Sequence, residues 1–297
     1  VKGLTVQGAF VLKKAQVKKW DLWLTNSQIG GELNAEWVKV EESFIVKGLT
    51  VQGAFVLKKA QVKSALLLTR LQTGGELNAE GVKVEGIFQV EGLTVQGAFV
   101  LKEAQVKGEL LLTRSQIGGE LNAEGVKAGR ILKAVDLTLQ GDFMLARARV
   151  DKELLLQGSL LHKDLVLENF QAGGDVRMER LEIKKEMRLS GLVAPSLYLS
   201  GVSVEKEIRM EKIYLSGKED SKEKDPLEGI CFLMEGILAK SIEMRESGMR
   251  RRGEARRVKV RESWMIEGVR WLQGAYWSEI EVGGSLRIQR SVIASLP

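Results

Sequence analysis

Apolar residues recur along this chain with a beat of eleven. A step of eleven from Val62 meets Thr73, Val84, Val95, Val106, Ile117, Ala128, Leu139, Val150, Leu161, Ala172 and Ile183, and all but Thr73 are apolar. Within one unit, such as Val106 to Gln116, positions one, five and seven are apolar. Five and seven alternate with their neighbours as a strand with one buried face does. Position ten is small or apolar (Val82, Leu93, Ala104, Val126), and position three is usually glycine (Gly75, Gly86, Gly97, Gly108, Gly119). Glycine at a fixed phase marks a corner where φ is positive or where two backbones come close. A short fixed period without helical spacing predicts a β-solenoid.

Like residues should stack on like, so a segment that duplicates cleanly spans whole coils. The phrase Gly-Leu-Thr-Val-Gln-Gly-Ala-Phe begins at Gly3, Gly48 and Gly92, in steps of 45 and then 44, with the extra residue around Trp20 to Trp23. Forty-four is two coils of twenty-two and no multiple of thirty-three. The prediction is an all-β chain forming a single parallel β-solenoid, with 22-residue coils of two strands each. At a spacing of about 4.8 Å, roughly thirteen coils make a rod on the order of 60 Å long. Parallel crossovers are nearly always right-handed, which sets the expected hand.

Composition agrees with this architecture. The 297 residues include 32 Gly but only 3 Pro, 8 Phe and 3 Tyr, as suits short strands, tight corners and a thin core. An eleven-residue coiled coil would share the apolar beat. A glycine in every unit, at about 1 kcal/mol each, argues against it. A solenoid needs no division into globular domains, because each coil contacts only its neighbours. The 45 basic and 39 acidic residues, net +6, are mostly interleaved, as in Glu182 to Arg188, and read as solvated strand faces. The single Cys231 excludes an intrachain disulfide framework and fits a reducing, cytoplasmic setting. No apolar run is long enough for a transmembrane helix. Val1 stands in mid-coil without an initiator Met and reads as a fragment boundary, so a missing leader carries no weight.

Along the chain, residues 1–216 form the regular solenoid, with a one-residue deletion between Ala194 and Leu215. Residues 217–226, polar and ended by Pro226, read as an exposed loop. Residues 227–297 read as an irregular continuation, with a basic loop at 245–257 and a C-terminal capping region. Runs such as Ile117-Gly-Gly-Glu-Leu-Asn-Ala-Glu-Gly-Val-Lys and Val106-Lys-Gly-Glu-Leu-Leu-Leu resemble bacterial β-helix repeats of the I-x-G-x-L-x-L-x-G-A type. These lie in the neighbourhood of pentapeptide-repeat and bactofilin-like proteins. The resemblance covers residues 1–216 and 282–292. It implies β-helical architecture and leaves function open, because such folds host unrelated roles.

Candidate chemistry is sparse. With one histidine there is no His cluster, and no Cys-x-x-Cys, phosphate loop, nucleophile elbow or dinucleotide fingerprint is present. His162, at position two of its unit, reads as a surface imidazole, and Cys231, in Ile230-Cys-Phe-Leu-Met, as a buried thiol. Glu32, Glu76 and Glu120 occupy equivalent positions and form a row. A glycosidase-type acid/base pair needs one special constellation rather than a periodic row.

Two surface features remain. Position six should point outward between two core residues, and in every second coil it is apolar. Trp23, Leu67, Leu111 and Leu155 fall on one face, and Val11, Val56, Val100 and Met144 on the other, with residues such as Gln89 and Asn78 between. Apolar stripes of this kind mark protein contacts, unless the position is less exposed than its alternation suggests. The second feature is the basic set Arg250, Arg251, Arg252, Arg256, Arg257, Lys259 and Arg261, followed by Trp264, Trp271, Tyr276 and Trp277. Such a set can hold an acidic partner, or be a solvated loop with aromatics that close the solenoid. The leading expectation is a non-enzymatic structural or protein-interaction solenoid that self-associates through its stripes or its open N-terminal edge. A binding module for nucleic acid or an anionic membrane surface through 245–261 is the alternative, and a polysaccharide-processing β-helix enzyme is a second. The sequence assigns no catalytic residue, cofactor or metal ligand.

Overall fold

The computed structural model describes residues 1–217 and 230–294, and every regular element in them is a β-strand. Strands pair in parallel with the strand one coil away. Leu66 faces Phe44 on one side and Phe88 on the other, 22 residues each way. One ladder counts the coils: thirteen strands run from Gln16–Val17 to Val292–Ile293. The chain is a β-solenoid with the coil length that the repeat predicts.

The number of strands per coil differs from the expected two. Each coil has four, for example Leu66–Thr69, Gln72–Thr73, Leu77–Asn78 and Lys83–Val84. They are called here the first, second, third and fourth sides. Every eleven-residue unit thus makes two sides rather than one. The second strand of each unit is only two residues long, too short to display an alternating pattern, so it was hidden in the sequence.

The inward positions are those of the apolar beat. In one coil Leu66, Leu68, Leu71, Thr73, Leu77, Ala79, Val82 and Val84 are all buried. Thr73 keeps its hydroxyl satisfied locally by donating to the Gly75 carbonyl at 3.0 Å. Core size alternates along the rod: Phe44 and Phe55 lie in one coil, Leu66 and Leu77 in the next, then Phe88 and Phe99, then Leu110 and Leu121, all buried. Large layers over small ones interdigitate in a narrow core. Over these coils the alternation has the two-coil period of the sequence repeat.

Corners are of two kinds. Position nine has positive φ, as at Gly48 (63°), Lys59 (55°), Arg70 (50°) and Gly81 (61°). Long charged residues fill that corner as often as glycine does, which conceals it in the sequence. The glycines at position three of the regular units, such as Gly75 and Gly119, have no positive φ and instead lie against the coil beneath. A Cβ on Gly75 would sit 2.9 Å from the Ala54 nitrogen, and one on Gly119 2.9 Å from the Ala98 nitrogen. The glycine beat therefore reports close stacking, the second of the two causes anticipated for it.

Irregularities fall where the repeat slips. Thr5 pairs with Gln28, a step of 23, and the added residue lies between Val17 and Leu22, beside Lys19 at φ 64°. Val176 pairs with Leu197, a step of 21, in line with the expected deletion. Of the polar segment 217–226, all but Gly217 lies outside the described residues. The basic stretch 245–257, expected to leave the solenoid as a loop, is instead part of it. Leu238–Arg245, Gly248–Met249 and the 16-residue strand Arg252–Glu267 carry the chain through this region. The long strand pairs with Ile230–Glu235 and Leu238–Arg245 on one edge and with Ala275–Val282 and Ser285–Gln289 on the other. Its inward residues Ala255, Val258, Val260, Trp264 and Ile266 are buried while most of its arginines face out. Gly253 occupies an inward slot opposite Phe232, and Trp271 fills the space, its Nε1 2.7 Å from where a Cβ would stand.

The two corner types predict different costs. Gly86→Ala, at position three, places a Cβ 2.2 Å from the Ser64 carbonyl oxygen and should destabilise by about 2 kcal/mol or more. Gly81→Ala meets only the flexible Lys59 side chain at 3.3 Å and should cost about 1 kcal/mol for its positive φ. Urea unfolding of both variants measures the difference; equal costs would contradict the distinction.

Candidate functional site

The sides present outward columns, because parallel in-register strands stack equivalent residues about 4.8 Å apart. On the first side the column reads Trp23, Ile45, Leu67, Gln89, Leu111, Lys133, Leu155. On the third it reads Val11, Asn34, Val56, Asn78, Val100, Asn122, Met144. The eight stripe residues therefore divide between two non-adjacent sides and do not converge.

Within the stack these residues are less open than their alternation suggests. Leu67, Leu111, Leu155, Val56, Val100 and Met144 are half-buried, shielded by the residues above and below, while Trp23 and Val11 remain 45% and 61% exposed. The first side is the more continuous. Ile45, which sequence reasoning passed over, joins Trp23 to Leu67 without a polar break. Ile87, 40% exposed, borders the same column. The third side is broken by asparagine clamps in every second coil. Asn78 donates its amide to Glu76 at 3.0 Å and accepts from the Glu80 backbone N–H at 3.1 Å, and Asn34 and Asn122 repeat the arrangement. The row Glu32, Glu76, Glu120 thus holds asparagines in place.

The second side carries a feature that sequence reasoning missed. Its outward positions are Thr5 and Gln7, Gln28 and Gly30, Thr50 and Gln52, and onward to Thr138 and Gln140, with no charge over seven coils. The neutrality was visible only once the strands of each unit were assigned to separate sides. Beyond His162, which is half-buried on this side, charges return: Lys184 bridges Glu182 and Glu205, the latter at 2.8 Å, and these contacts hold its ammonium above the ordinary lysine range.

The basic set is dispersed rather than focused. Arg252 pairs with the buried Glu254 at 2.6 Å, Arg256 pairs with the same carboxylate, Arg257 with Glu235, and Lys259 with Glu281 at 2.9 Å. Arg250 lies over the Tyr214 ring at 5.8 Å. Arg250 and Arg251 stand at the corner leading to the first side, and Lys259 and Arg261 follow on the second. The tryptophans that follow are occupied in packing. Trp264 and Trp271 are buried, Trp277 stacks on Trp264 at 5.5 Å and meets Trp271 edge-on at 6.3 Å, and Tyr276 alone is openly exposed.

Other chemistry is limited. Among the described residues no three His, Cys, Asp or Glu converge as a metal site, and no helix is long and apolar enough to cross a membrane. One depression, about 350 Å³, is an open groove on the fourth side over Gln105, Lys127, Gly129 and Arg149. It is open to solvent, and a similar shallow groove lies on the same side over Gln16, Lys39 and Gln61. No family model, curated protein or solved structure matches the chain.

Cys231 is fully buried, and burial pushes its thiol up to about 11. A raised value keeps the thiol protonated below that pH, so the nucleophilic thiolate is scarce near pH 8. Alkylation of the folded protein at pH 8 should therefore be slow and become fast on unfolding. Mass spectrometry after timed alkylation measures this, and rapid modification of the folded chain would show that the thiol is accessible.

Proposed function

We propose that the chain is a non-enzymatic β-solenoid scaffold that assembles with copies of itself through the apolar column of its first side. The observation that supports this reading is the outward run Trp23, Ile45, Leu67, continued at Leu111 and Leu155 in alternate coils. A column repeated at the pitch of the rod suits an extended contact with an equally repetitive surface, and a second copy offers one. Half-burial of each residue limits what one coil gains, so the contact gathers strength only over several coils. An acidic partner at Arg250 to Arg261 has weaker support, since Arg252, Arg256, Arg257 and Lys259 are in ion pairs within the rod.

Sedimentation at about 1 M salt, where the Debye length is about 3 Å, isolates the apolar contribution. The wild type should gain mass with rising concentration, and the triple variant Leu67→Lys, Leu111→Lys, Leu155→Lys should not. A wild type that stays a monomeric rod at every concentration and salt would overturn the reading.

A further inference from the structure

Two adjacent sides of the rod balance most of their charge internally and leave opposite surpluses. On the third side Lys13, Lys58 and Lys102 pair with Glu36, Glu80 and Glu124 at 2.6, 2.8 and 3.5 Å. Glu32, Glu76 and Glu120 of that side are in no ion pair among the described residues; each accepts from the amide of Asn34, Asn78 or Asn122, and the charge of Glu76 is also felt by Lys58. On the fourth side Lys63 pairs with Glu41 at 3.4 Å and Lys107 with Glu85 at 2.6 Å. Lys39, Lys83 and Lys127 remain there as exposed ammonium groups, in no ion pair among the described residues.

Both surpluses have one pitch. Glu32, Glu76 and Glu120 are 44 residues apart, and so are Lys39, Lys83 and Lys127, so each column advances by two coils per charge, roughly 9.6 Å. Each glutamate shares its coil with the lysine seven residues later. On one rod the two columns lie on different sides and form no pairs with each other. On two rods lying side by side, equal pitch brings all three charges of one column opposite three of the other at once.

We propose that copies of this chain dock laterally, the Glu32–Glu76–Glu120 column of one against the Lys39–Lys83–Lys127 column of the next. This contact rests on the self-association reading above but uses different sides of the rod. A single exposed ion pair adds little, and a register of several is what makes the contact specific. Because two different surfaces meet, each added copy leaves one of each kind free, so the association is head-to-tail in the lateral sense and not a closed two-fold pair. The surpluses also exclude the self-opposed alternatives, since third side against third side or fourth against fourth sets like charges face to face.

The test uses two triple variants at low salt: Glu32→Lys, Glu76→Lys, Glu120→Lys, and Lys39→Glu, Lys83→Glu, Lys127→Glu. Each alone should weaken association by about tenfold or more, as read by sedimentation. An equimolar mixture should restore it, because each reversed column then meets its opposite on the other protein. Glutamine in place of the three glutamates keeps an acceptor for the asparagine amides, so loss of association by that variant with an unchanged melting temperature separates charge from folding. Association of each reversed variant as strong as the wild type, or failure of the mixture to recover, would overturn the lateral contact while leaving the apolar assembly at high salt intact. Weakening by the lysine reversal alone, with no effect of the glutamate reversal, would also overturn it and point to an anionic partner. Absence of any wild-type association at either salt would overturn both readings together.

Discussion

Everything in this structure depends on parallel backbone pairing at a step of 22 residues. The step is carried on four sides at once, as in the ladders through Leu66, Thr73, Leu77 and Val84. Each ladder is short, and alone none would be stable in water. Together they lock one another, because a slip on one side forces a slip on all. The same stacking sets what the side chains can be. Inward positions need apolar residues, the glycines at position three such as Gly75 and Gly119 leave no room for a Cβ, and outward positions are free to vary.

That freedom is where function has room to act. A two-coil repeat carries its outward residues along with the alternating Phe and Leu layers of its core. The first side therefore acquires an apolar column, the second a neutral run of threonine and glutamine, and the third and fourth their unpaired glutamates and lysines. No unique constellation arises in such a pattern. Extended contact between matching periods is the kind of recognition it favours, and a second rod has the same period by construction.

Much of this was legible in the sequence, for physical reasons that differ by residue. The coil length followed from the 44-residue phrase, because stacked identical residues demand whole coils. The inward set followed from position-specific apolarity, and even the lone exception, Thr73, proved to be buried. The four-sided section did not follow, since a strand such as Gln72–Thr73 is too short to alternate. Positive φ at Lys59 and Arg70 was hidden by residue types that ordinarily avoid it. The basic stretch was misread because eight cations in seventeen residues outweighed the inward Ala255, Val258 and Val260, and because Gly253 stands where a core residue is due while Trp271 fills its place. The surface columns were legible only in part: sequence gave their spacing, but which column faced which side depended on the number of sides.

The 22-residue register is open to a direct measurement by disulfide trapping. Cysteines in place of Leu67 and Gln89 stand on neighbouring coils of one column, with backbones about 4.8 Å apart, inside the range that a disulfide spans. Mild oxidation should close that bridge within a monomer, whereas cysteines in place of Leu67 and Val100, 33 residues apart and on different sides, should stay open. A bridge between 67 and 100 with none between 67 and 89 would mean coils of a different length, and the account of every side built on them would fall.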